Sequence, residues 1–364
     1  MGETGLKDRK FSRAVAIVIA FVICFTGGIT LLAFKPVAIA EAISTTEGTK
    51  LDYSDGSHYE GDVEAGEIRN GTGSYSWSTG ETYEGTWVND VQSGNGKMVW
   101  PGLGTYTGQF QNGKRHGRGA FTWIYDGEPT TGQPISFDGE WEDDHIGSSG
   151  KMVFANLGIY EGGFSKGVRE GQGTFTWDNG DQYFGMWAKD RISGDGILTL
   201  ADGSLLEGQF NNNLLNRGTV TYAVDGGIAT RNVLNGKLQS AVTIVYQDDT
   251  TVVGTLKGQE FVGNVTISYA SGDSYVGALK NGIKSGKGTY TWKNGAHYVG
   301  EWSNDKMSGT GKYYYEKDES KNYLCGTFKD GLPLGTLIYV SDKKLQYNTV
   351  WQDGKCTNIT YKKK

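Results

Sequence analysis

Tyr160–Gln182 reads YEGGFSKGVREGQGTFTWDNGDQ, and this stretch decides the fold. Apolar side chains recur at every second residue, as in Phe175 and Trp177, and a Lys-Gly pair separates two such runs. Residues two apart point to the same face of a strand, so each run carries one apolar face. An Asp-Asn-Gly run ends the second half. The stretch therefore predicts a β-hairpin followed by a second turn.

The same hairpin unit recurs along the chain, most often with a period of 23 residues. We call the first residue of each unit its opener, and a glycine follows two residues later in all but two units, where Arg231 and Thr349 stand instead. A fixed period of this size is the signature of a repeat array. The openers are Tyr59, Tyr83, Tyr106, Phe137, Tyr160, Tyr183, Leu206, Ala229, Val252, Tyr275, Tyr298, Leu324 and Tyr347. The residues four positions later are all apolar: Val63, Trp87, Phe110, Trp141, Phe164, Trp187, Phe210, Val233, Leu256, Leu279, Trp302, Phe328 and Trp351.

The repeated pattern Y-x-G-x-[WF]-x-[ND]-G-x-x-x-G-x-G-x-[FY]-x-W-x-[ND]-G resembles the MORN repeat and covers about residues 51–361. The match is strongest in the units that open at 83, 106, 160, 183, 275 and 298, and it is weak at 229 and 347. The resemblance implies an all-β fold, an elongated and twisted antiparallel sheet of stacked β-hairpins that is concave on one side. It also implies no catalytic activity, since members of the family use the array to scaffold, to dimerise or to lie near membranes.

The start of the chain predicts a membrane anchor. Residues 1–13 carry a basic excess, and residues 14–34, AVAIVIAFVICFTGGITLLAF, contain no charged residue. At ~1.5 Å per residue, a helix of this length crosses a hydrocarbon core of ~30 Å. Because a basic flank stays on the cytosolic side, we predict a single-pass signal anchor with a cytosolic N-terminus and an extracytoplasmic repeat array. Small residues near Ala40 leave a secreted form, cleaved there, as the alternative.

Beyond the anchor, we predict a polar spacer over residues 35–50 and the repeat array over residues 51–364, with about 13 units. Residues 51–58 look like the returning strand of an incomplete hairpin that caps the array. Residues 206–262 are the least regular part of the array, because several of its glycines are replaced. We expect a local change of twist there rather than a second domain, since the period continues.

No motif points to an enzyme. The four histidines include no pair with metal-ligand spacing, and no phosphate-binding loop or nucleophile motif occurs. The repeats also leave no stretch free for a catalytic domain. We therefore predict no catalytic residue, no metal site and no cofactor. Cys325 and Cys356 occupy different positions in their units, and whether they form a disulfide stays open.

The charge of the array argues against two classes of partner. The chain has a net charge of -6, and its first 35 residues hold five basic and two acidic residues, so the remainder has 30 basic and 39 acidic residues. An acidic array is repelled by nucleic acid and by anionic lipid headgroups. We predict contact with the membrane through the N-terminal helix, with no nucleic-acid binding and no direct lipid binding by the repeats.

One long insertion marks a candidate binding element. After Trp123 the chain adds IYDGEPTTGQPIS before Phe137. Insertions in repeat proteins fall on loops, which are often the binding rim, although a tolerated surface loop is the alternative. The candidate binding residues are Tyr125, Asp126, Glu128, Pro129, Pro134 and Trp141. The first hypothesis is thus a membrane-anchored, non-enzymatic scaffold or interaction module that holds a protein partner or a second copy of itself.

The second hypothesis is a carbohydrate-binding module of the cell surface. It requires exposed Trp and Tyr rings that stack on sugars beside carboxylates, as Trp141 would with Glu140 and Glu142. The packing of the rings separates the two hypotheses. Rings packed edge to edge favour the scaffold, whereas isolated flat rings favour sugar binding.

Overall fold

The computed structural model describes residues 46–64 and 67–362, and it confirms the all-β, antiparallel expectation. These residues form 28 β-strands and no helix. The predicted membrane helix at residues 14–34, the basic segment before it and most of the spacer lie outside the described residues. Within the described ranges, no helix is both long and apolar enough to span a bilayer.

The chain divides into two compact units. The first reaches Ala201 and includes Gln209–Leu214, and the second comprises Asp202–Gly208 and the chain from Leu215 onward. The strands that lie wholly in the first unit are β1 (Thr46–Asp52), β2 (His58–Glu64), β3 (Ile68–Ser76), β4 (Thr82–Val88), β5 (Val91–Trp100), β6 (Gly104–Gln111), β7 (Lys114–Trp123), β8 (Pro134–Glu142), β9 (His145–Phe154), β10 (Gly158–Ser165), β11 (Val168–Trp177), β12 (Gln182–Ala188) and β13 (Arg191–Thr199).

The boundary between the units crosses the next two strands, β14 (Leu205–Asn211) and β15 (Leu214–Val224), at the start of the irregular stretch 206–262. The strands of the second unit continue as hairpins of similar length. They are β16 (Gly227–Leu234), β17 (Lys237–Tyr246), β18 (Thr251–Lys257), β19 (Glu260–Ser268), β20 (Ser274–Lys280), β21 (Ile283–Thr291), β22 (His297–Ser303), β23 (Lys306–Tyr314), β24 (Tyr323–Lys329), β25 (Leu332–Pro333), β26 (Gly335–Val340), β27 (Gln346–Gln352) and β28 (Lys355–Tyr361).

Within each unit, consecutive strands pair antiparallel, and tight turns set the register. In the hairpin of β10 and β11, Gly162 lies opposite Gly173, and the register then shifts at a bulge. Lys166 and Gly167 join the two strands with φ of 52° and 79°. Two successive positive φ values define the type I′ turn, whose twist matches that of the flanking strands. The hairpin predicted from the sequence is therefore confirmed. A capping strand is present as well, because Leu51 of β1 pairs with Tyr59 of β2. It spans Thr46–Asp52 and not residues 51–58, so residues 46–50, which were predicted as spacer, belong to it.

The core follows from how each opener packs. Tyr160 is fully buried, and its hydroxyl donates a hydrogen bond of 2.9 Å to the Gly163 carbonyl. Its ring lies over the facing glycines, so a Cβ on Gly173 would stand 2.3 Å from the Tyr160 hydroxyl oxygen. Gly162 and Gly173, which face each other across the hairpin, thus leave the space that the opener's ring occupies, whereas a Cβ on Gly171 would meet no atom within 4 Å. All openers except Leu206 and Tyr347 are buried, which confirms the predicted core positions.

Candidate interaction surfaces

A basic side chain is enclosed by aromatic rings inside the best-preserved hairpins. The guanidinium carbon of Arg169 lies 4.5 Å from the Trp187 ring centroid and 5.5 Å from that of Phe175. Its Nε and its backbone N–H both donate to the Asp190 carboxylate, at 3.0 and 2.9 Å. The Trp187 indole donates to the Gly173 carbonyl at 3.3 Å. Cation–π attraction and a charge-assisted hydrogen bond therefore tie one hairpin to the next.

This arrangement, which we call a cation cage, occurs four times in the described residues. In each cage the cation belongs to one hairpin, whereas the tryptophan and the aspartate belong to the following hairpin. Three cages contain an arginine: Arg69 with Trp87 and Asp90, Arg115 with Trp141 and Asp144, and Arg169 with Trp187 and Asp190. In the fourth, the Lys284 ammonium lies 5.2 Å from the Trp302 ring centroid, and the bond to Asp305 comes from the Lys284 backbone N–H.

The cages and the openers have electrostatic consequences. Burial opposes ionisation of Asp90, but the hydrogen bonds and the charge of Arg69 outweigh burial and lower the pKa of that carboxyl. Burial raises the pKa of the opening tyrosines to about 12. The seven opening tyrosines affected are Tyr59, Tyr83, Tyr106, Tyr160, Tyr183, Tyr275 and Tyr298.

Trp141 lies inside a cage and not on the surface, which corrects our placement of it in a binding site. Its ring is 4% exposed and meets Phe137 edge-on, and its indole donates to the Gly119 carbonyl at 2.9 Å. The neighbouring Glu140 carboxylate lies 3.7 Å from the Arg118 guanidinium. Of the ten tryptophans, all of which lie in the described residues, four are buried and six are half-buried, so none is an isolated, exposed ring of the kind that favours sugar binding.

The face of the sheet opposite the opener rings is open and polar at the start of the first unit. A groove crosses the strands there, with glycine backbone at its floor. Its polar lining includes Glu60, Asp62, Glu84, Asn95, Lys97 and Thr107. Carboxylates outnumber the single lysine among these side chains, so this groove suits a partner with basic groups.

Further along the same face, apolar side chains replace the polar ones. Phe184 is 50% exposed, Met186 is 43% exposed and Ile197 is 38% exposed. Phe184 and Ile197 are direct cross-strand neighbours. Aromatic residues and methionine are enriched where protein interfaces bury most, so this cluster, the Phe184 patch, is a second candidate surface.

The insertion at residues 124–136 is held in place by hydrogen bonds at its two ends. The Tyr125 hydroxyl donates to the Pro134 carbonyl at 2.6 Å. The amide of Gly132 donates to the Ala155 carbonyl at 2.8 Å, and the amide of Ala155 donates to the Gln133 carbonyl at the same distance. The loop is thereby fixed to the turn that follows β9, and less conformational freedom remains to be lost on binding.

The loop's tip, by contrast, projects its side chains into solvent. Asp126 and Glu128 are exposed there, and Ile124 at the start of the loop is 50% exposed. Within the described residues neither carboxylate forms an ion pair. Pro129 and Pro134 are half-buried. The structure thus gathers five of the six predicted binding residues in one ordered loop and separates Trp141 from them.

In the second unit the open face becomes less charged. Val253, Val276 and Val299 are exposed by 46%, 45% and 41%, and cross-strand pairing places Thr266 and Thr289 between them. A groove beside this row is lined in part by Lys287, Lys312, Tyr314 and Ile338. Glu301, which pairs with Lys287 across the strands, also lines it, so the two lysines are offset by one carboxylate and the lining is less acidic than that of the groove in the first unit.

The comparison with protein families decides the nature of the repeats. Eight stretches match the model of the MORN repeat: residues 59–82, 83–105, 106–124, 137–158, 160–182, 183–205, 275–297 and 298–318. The chain carries MORN repeats. The residues between 206 and 274 are not among the matched stretches, yet they continue as hairpins of the same kind. The MORN repeats confirm the resemblance that the sequence pattern indicated.

No curated protein matches the chain. Solved structures include two weak likenesses. One is the TCP domain of SAS-4 from Drosophila melanogaster, in complex with a proline-rich motif of Ana2, which is 9% identical in sequence. The match covers 68% of this chain and 97% of that chain, with a TM-score of 0.14. A catalytically inactive virginiamycin B lyase from Staphylococcus aureus, with quinupristin, is also 9% identical; the match covers 84% of this chain and 94% of that chain, with a TM-score of 0.11. At these TM-scores neither likeness carries an argument.

The structure adds chemical detail that the sequence analysis did not identify. The cation cages were missed, although the alternation of tryptophan and phenylalanine four residues after the opener is visible in the sequence. The sequence analysis also did not identify the Phe184 patch, although Phe184 follows the opener Tyr183 and therefore lies on the opposite face of its strand. In the described part of the chain, no group of three His, Cys, Asp or Glu side chains is placed to hold a metal ion. Cys325 and Cys356 are both free thiols.

Proposed function

We propose that this chain is a membrane-anchored, non-enzymatic scaffold whose MORN repeats hold a protein partner through the loop at residues 124–136. The observation that carries the proposal is this loop, which is fixed by hydrogen bonds at its ends and exposes two carboxylates at its tip and Ile124 at its start. An ordered loop with exposed charge and apolar area is suited to recognition.

The chemistry of the partner follows from the charge near this loop. The acidic tip and the acidic groove of the first unit both favour basic side chains on the partner. Steering by exposed charges is screened by salt, with a Debye length of about 8 Å at physiological ionic strength. Capture of the partner should therefore weaken as the salt concentration rises.

The role of the loop is tested by replacing it with a shorter turn taken from another hairpin of the same chain. Replacing residues 124–136 with the five residues Asp178–Gln182, which join Trp177 to the opener Tyr183, should lower partner recovery several-fold in a crosslinking pull-down from the protein's own cells. The thermal midpoint should stay unchanged, because that turn already joins equivalent strands. The matched control replaces Asp126 and Glu128 with asparagine and glutamine, which keeps the loop and removes its charge. If partner recovery is unchanged after the full swap, the loop is not the binding element, and the Phe184 patch becomes the candidate surface.

The anchor is tested by accessibility. We propose that residues 14–34 cross the membrane once, with the repeats outside the cytoplasm, because a basic flank precedes an uncharged segment of 21 residues. Protease added to intact cells, or to protoplasts where a wall intervenes, should cut the repeat array. Protection of the array would overturn this topology, and a mature N-terminus at Glu41 would show cleavage and release instead.

A further inference from the structure

The chain contains seven pairs in which an asparagine is followed by a glycine, and such a pair can lose the side-chain amide of the asparagine. The backbone nitrogen of the glycine attacks the side-chain carbonyl carbon, and glycine has no Cβ to hinder the approach. The surroundings of the seven pairs differ, so their reactivities should differ as well. The seven asparagines are Asn70, Asn95, Asn112, Asn179, Asn235, Asn281 and Asn294.

Two of these pairs lie inside strands. Asn70 is in β3, and its side-chain amide donates to the Glu64 carboxylate. Gly96, which follows Asn95 in β5, is paired with a glycine on each neighbouring strand. Because the backbone is held by strand pairing in both cases, the attack would require that pairing to open.

Two further pairs, Asn179-Gly180 and Asn294-Gly295, lie in turns and are held by hydrogen bonds on both sides of the peptide. In the second of these, the asparagine side-chain carbonyl accepts the Ala296 amide at 3.0 Å, and the glycine amide donates to the Trp292 carbonyl at 2.8 Å. The first pair makes the equivalent bonds, both at 3.0 Å. Neither the side chain nor the glycine nitrogen is therefore free to turn toward the other.

The remaining three pairs form two-residue turns of the same conformation. In the turns of Asn112, Asn235 and Asn281, the asparagine φ is 53°, 52° and 52°, and the glycine φ is 75°, 69° and 75°. All three asparagines are exposed. A difference in reactivity between them therefore has to come from hydrogen bonding, and not from the turn conformation or the access of water.

The glycine amide is hydrogen-bonded in two of these turns and not in the third. The Gly113 amide donates to the Gln92 carbonyl at 3.0 Å, and the Gly236 amide donates to the Asn216 carbonyl at 2.9 Å. In the described part of the chain, the Gly282 amide has no hydrogen-bond acceptor. A bonded amide must leave its acceptor before its nitrogen can attack, and this step costs free energy that the Gly282 amide does not have to supply.

We propose that Asn281 is a site of spontaneous deamidation, which modifies the hairpin of β20 and β21. The Gly282 nitrogen forms a bond to Cγ of Asn281, the bond from Cγ to Nδ2 breaks, and the glycine amide proton leaves with that nitrogen as ammonia. Water then opens the resulting succinimide. Opening at Cγ gives aspartate, whereas opening at the backbone carbonyl carbon gives isoaspartate, in which the main chain runs through Cβ and Cγ.

The isoaspartate product adds one atom to the main chain of a turn that sets the register of β20 and β21. Lys284 lies two residues beyond Gly282 and is 6% exposed, and its ammonium is 5.2 Å from the Trp302 ring centroid in the next hairpin. A longer turn displaces Lys284 from this cation cage. Deamidation at Asn281 should thus uncouple two hairpins of the second unit, independently of partner binding at the 124–136 loop.

The first test measures deamidation at each pair in the full chain, incubated in mild detergent at mildly alkaline pH. Peptide mapping by mass spectrometry should show Asn281 converting several-fold faster than Asn112 and Asn235, which are the matched controls. Isoaspartyl methyltransferase, which labels isoaspartate, should label mainly the peptide that contains residue 281. In guanidinium chloride the three rates should become similar, because unfolding removes the hydrogen bonds that distinguish the turns. Equal rates in the folded chain, or a difference that persists after unfolding, would overturn the proposal.

The second test follows the cage by hydrogen exchange. The chain that carries isoaspartate should lose protection in β20–β23, whereas Asn281→Asp keeps the length of the main chain and should retain it. Asn281→Gln forms its larger cyclic imide far more slowly and should also retain protection throughout the incubation. If the glutamine variant loses protection as fast as the parent chain, or if the isoaspartate form keeps full protection, deamidation at Asn281 does not uncouple these hairpins.

Discussion

Trp187→Ala provides the most direct test of how the hairpins hold together. The ring is 4% exposed and lies between Tyr160 and Tyr183, whose centroids are 5.2 and 5.5 Å away. Removing a buried tryptophan ring costs about 3–5 kcal/mol through lost burial and the cavity left behind. Arg169 also loses its nearest ring, which adds roughly 1 kcal/mol. We expect a local destabilisation of about 4–6 kcal/mol.

The effect should be confined to nearby hairpins, because repeats in an array contact their neighbours and little else. Hydrogen exchange read by mass spectrometry should show protection lost in β10–β13 and retained in the later hairpins of the second unit. Phe184→Ala is the matched control, since this ring is 50% exposed on the opposite face and its loss should cost less than about 1 kcal/mol. Equal loss of protection in every hairpin, or a cost for Trp187→Ala no larger than that of the control, would refute this account.

Three further predictions follow from the core. Gly173→Ala should destabilise its hairpin by more than about 2 kcal/mol in urea unfolding, because the new Cβ would meet the Tyr160 hydroxyl. Gly102→Ala has open space around it and should cost only about 1 kcal/mol, which comes from its positive φ of 75°. Arg169→Met should cost about 1–2 kcal/mol in the same assay, since the Asp190 carboxylate loses its guanidinium partner; no loss would show that the cage adds no stability. The seven opening tyrosines have pKa values of about 12 in the folded protein, against an ordinary value of 10.0. Their contribution to the free energy of unfolding is therefore complete below pH 10 and is lost as the pH rises toward 12. In an alkaline titration, tyrosinate absorbance should appear together with unfolding.

The hairpins were predictable from the sequence because their signals are local. The Lys166-Gly167 turn, the alternation ending at Trp177 and the period of the openers each depend on only a few neighbouring residues. Residues 206–262 kept the alternation without the glycines, and they form hairpins as well. Apolar alternation is therefore the dominant signal for these strands. The glycines indicate instead where an opener's ring lies over the backbone.

The interaction surfaces were less predictable because they depend on contacts between hairpins. The partner of Arg115 is Asp144, beyond the long insertion, and no local pattern joins the two. Trp141 itself occupies the apolar position four residues after the opener Phe137, so its burial could be predicted from the period. The exposure of Phe184 depends on which face of β12 it occupies, and period-two reasoning gives that face once the opener Tyr183 is recognised. The link from the 124–136 loop to the turn after β9 carries no sequence signature.

Because of the cation cages, an insertion or deletion must involve a pair of hairpins, and not a single hairpin, if each cation is to keep its tryptophan and aspartate. Excising residues 137–182, two whole hairpins, would bring Arg115 to Trp187 and Asp190, which are equivalent to its present partners. Excising only the first of these hairpins would place Phe164 where the tryptophan stands and leave no aspartate at the turn. In the first unit, where the cages recur in every second hairpin, the length of the array should therefore vary between related genes in steps of two hairpins.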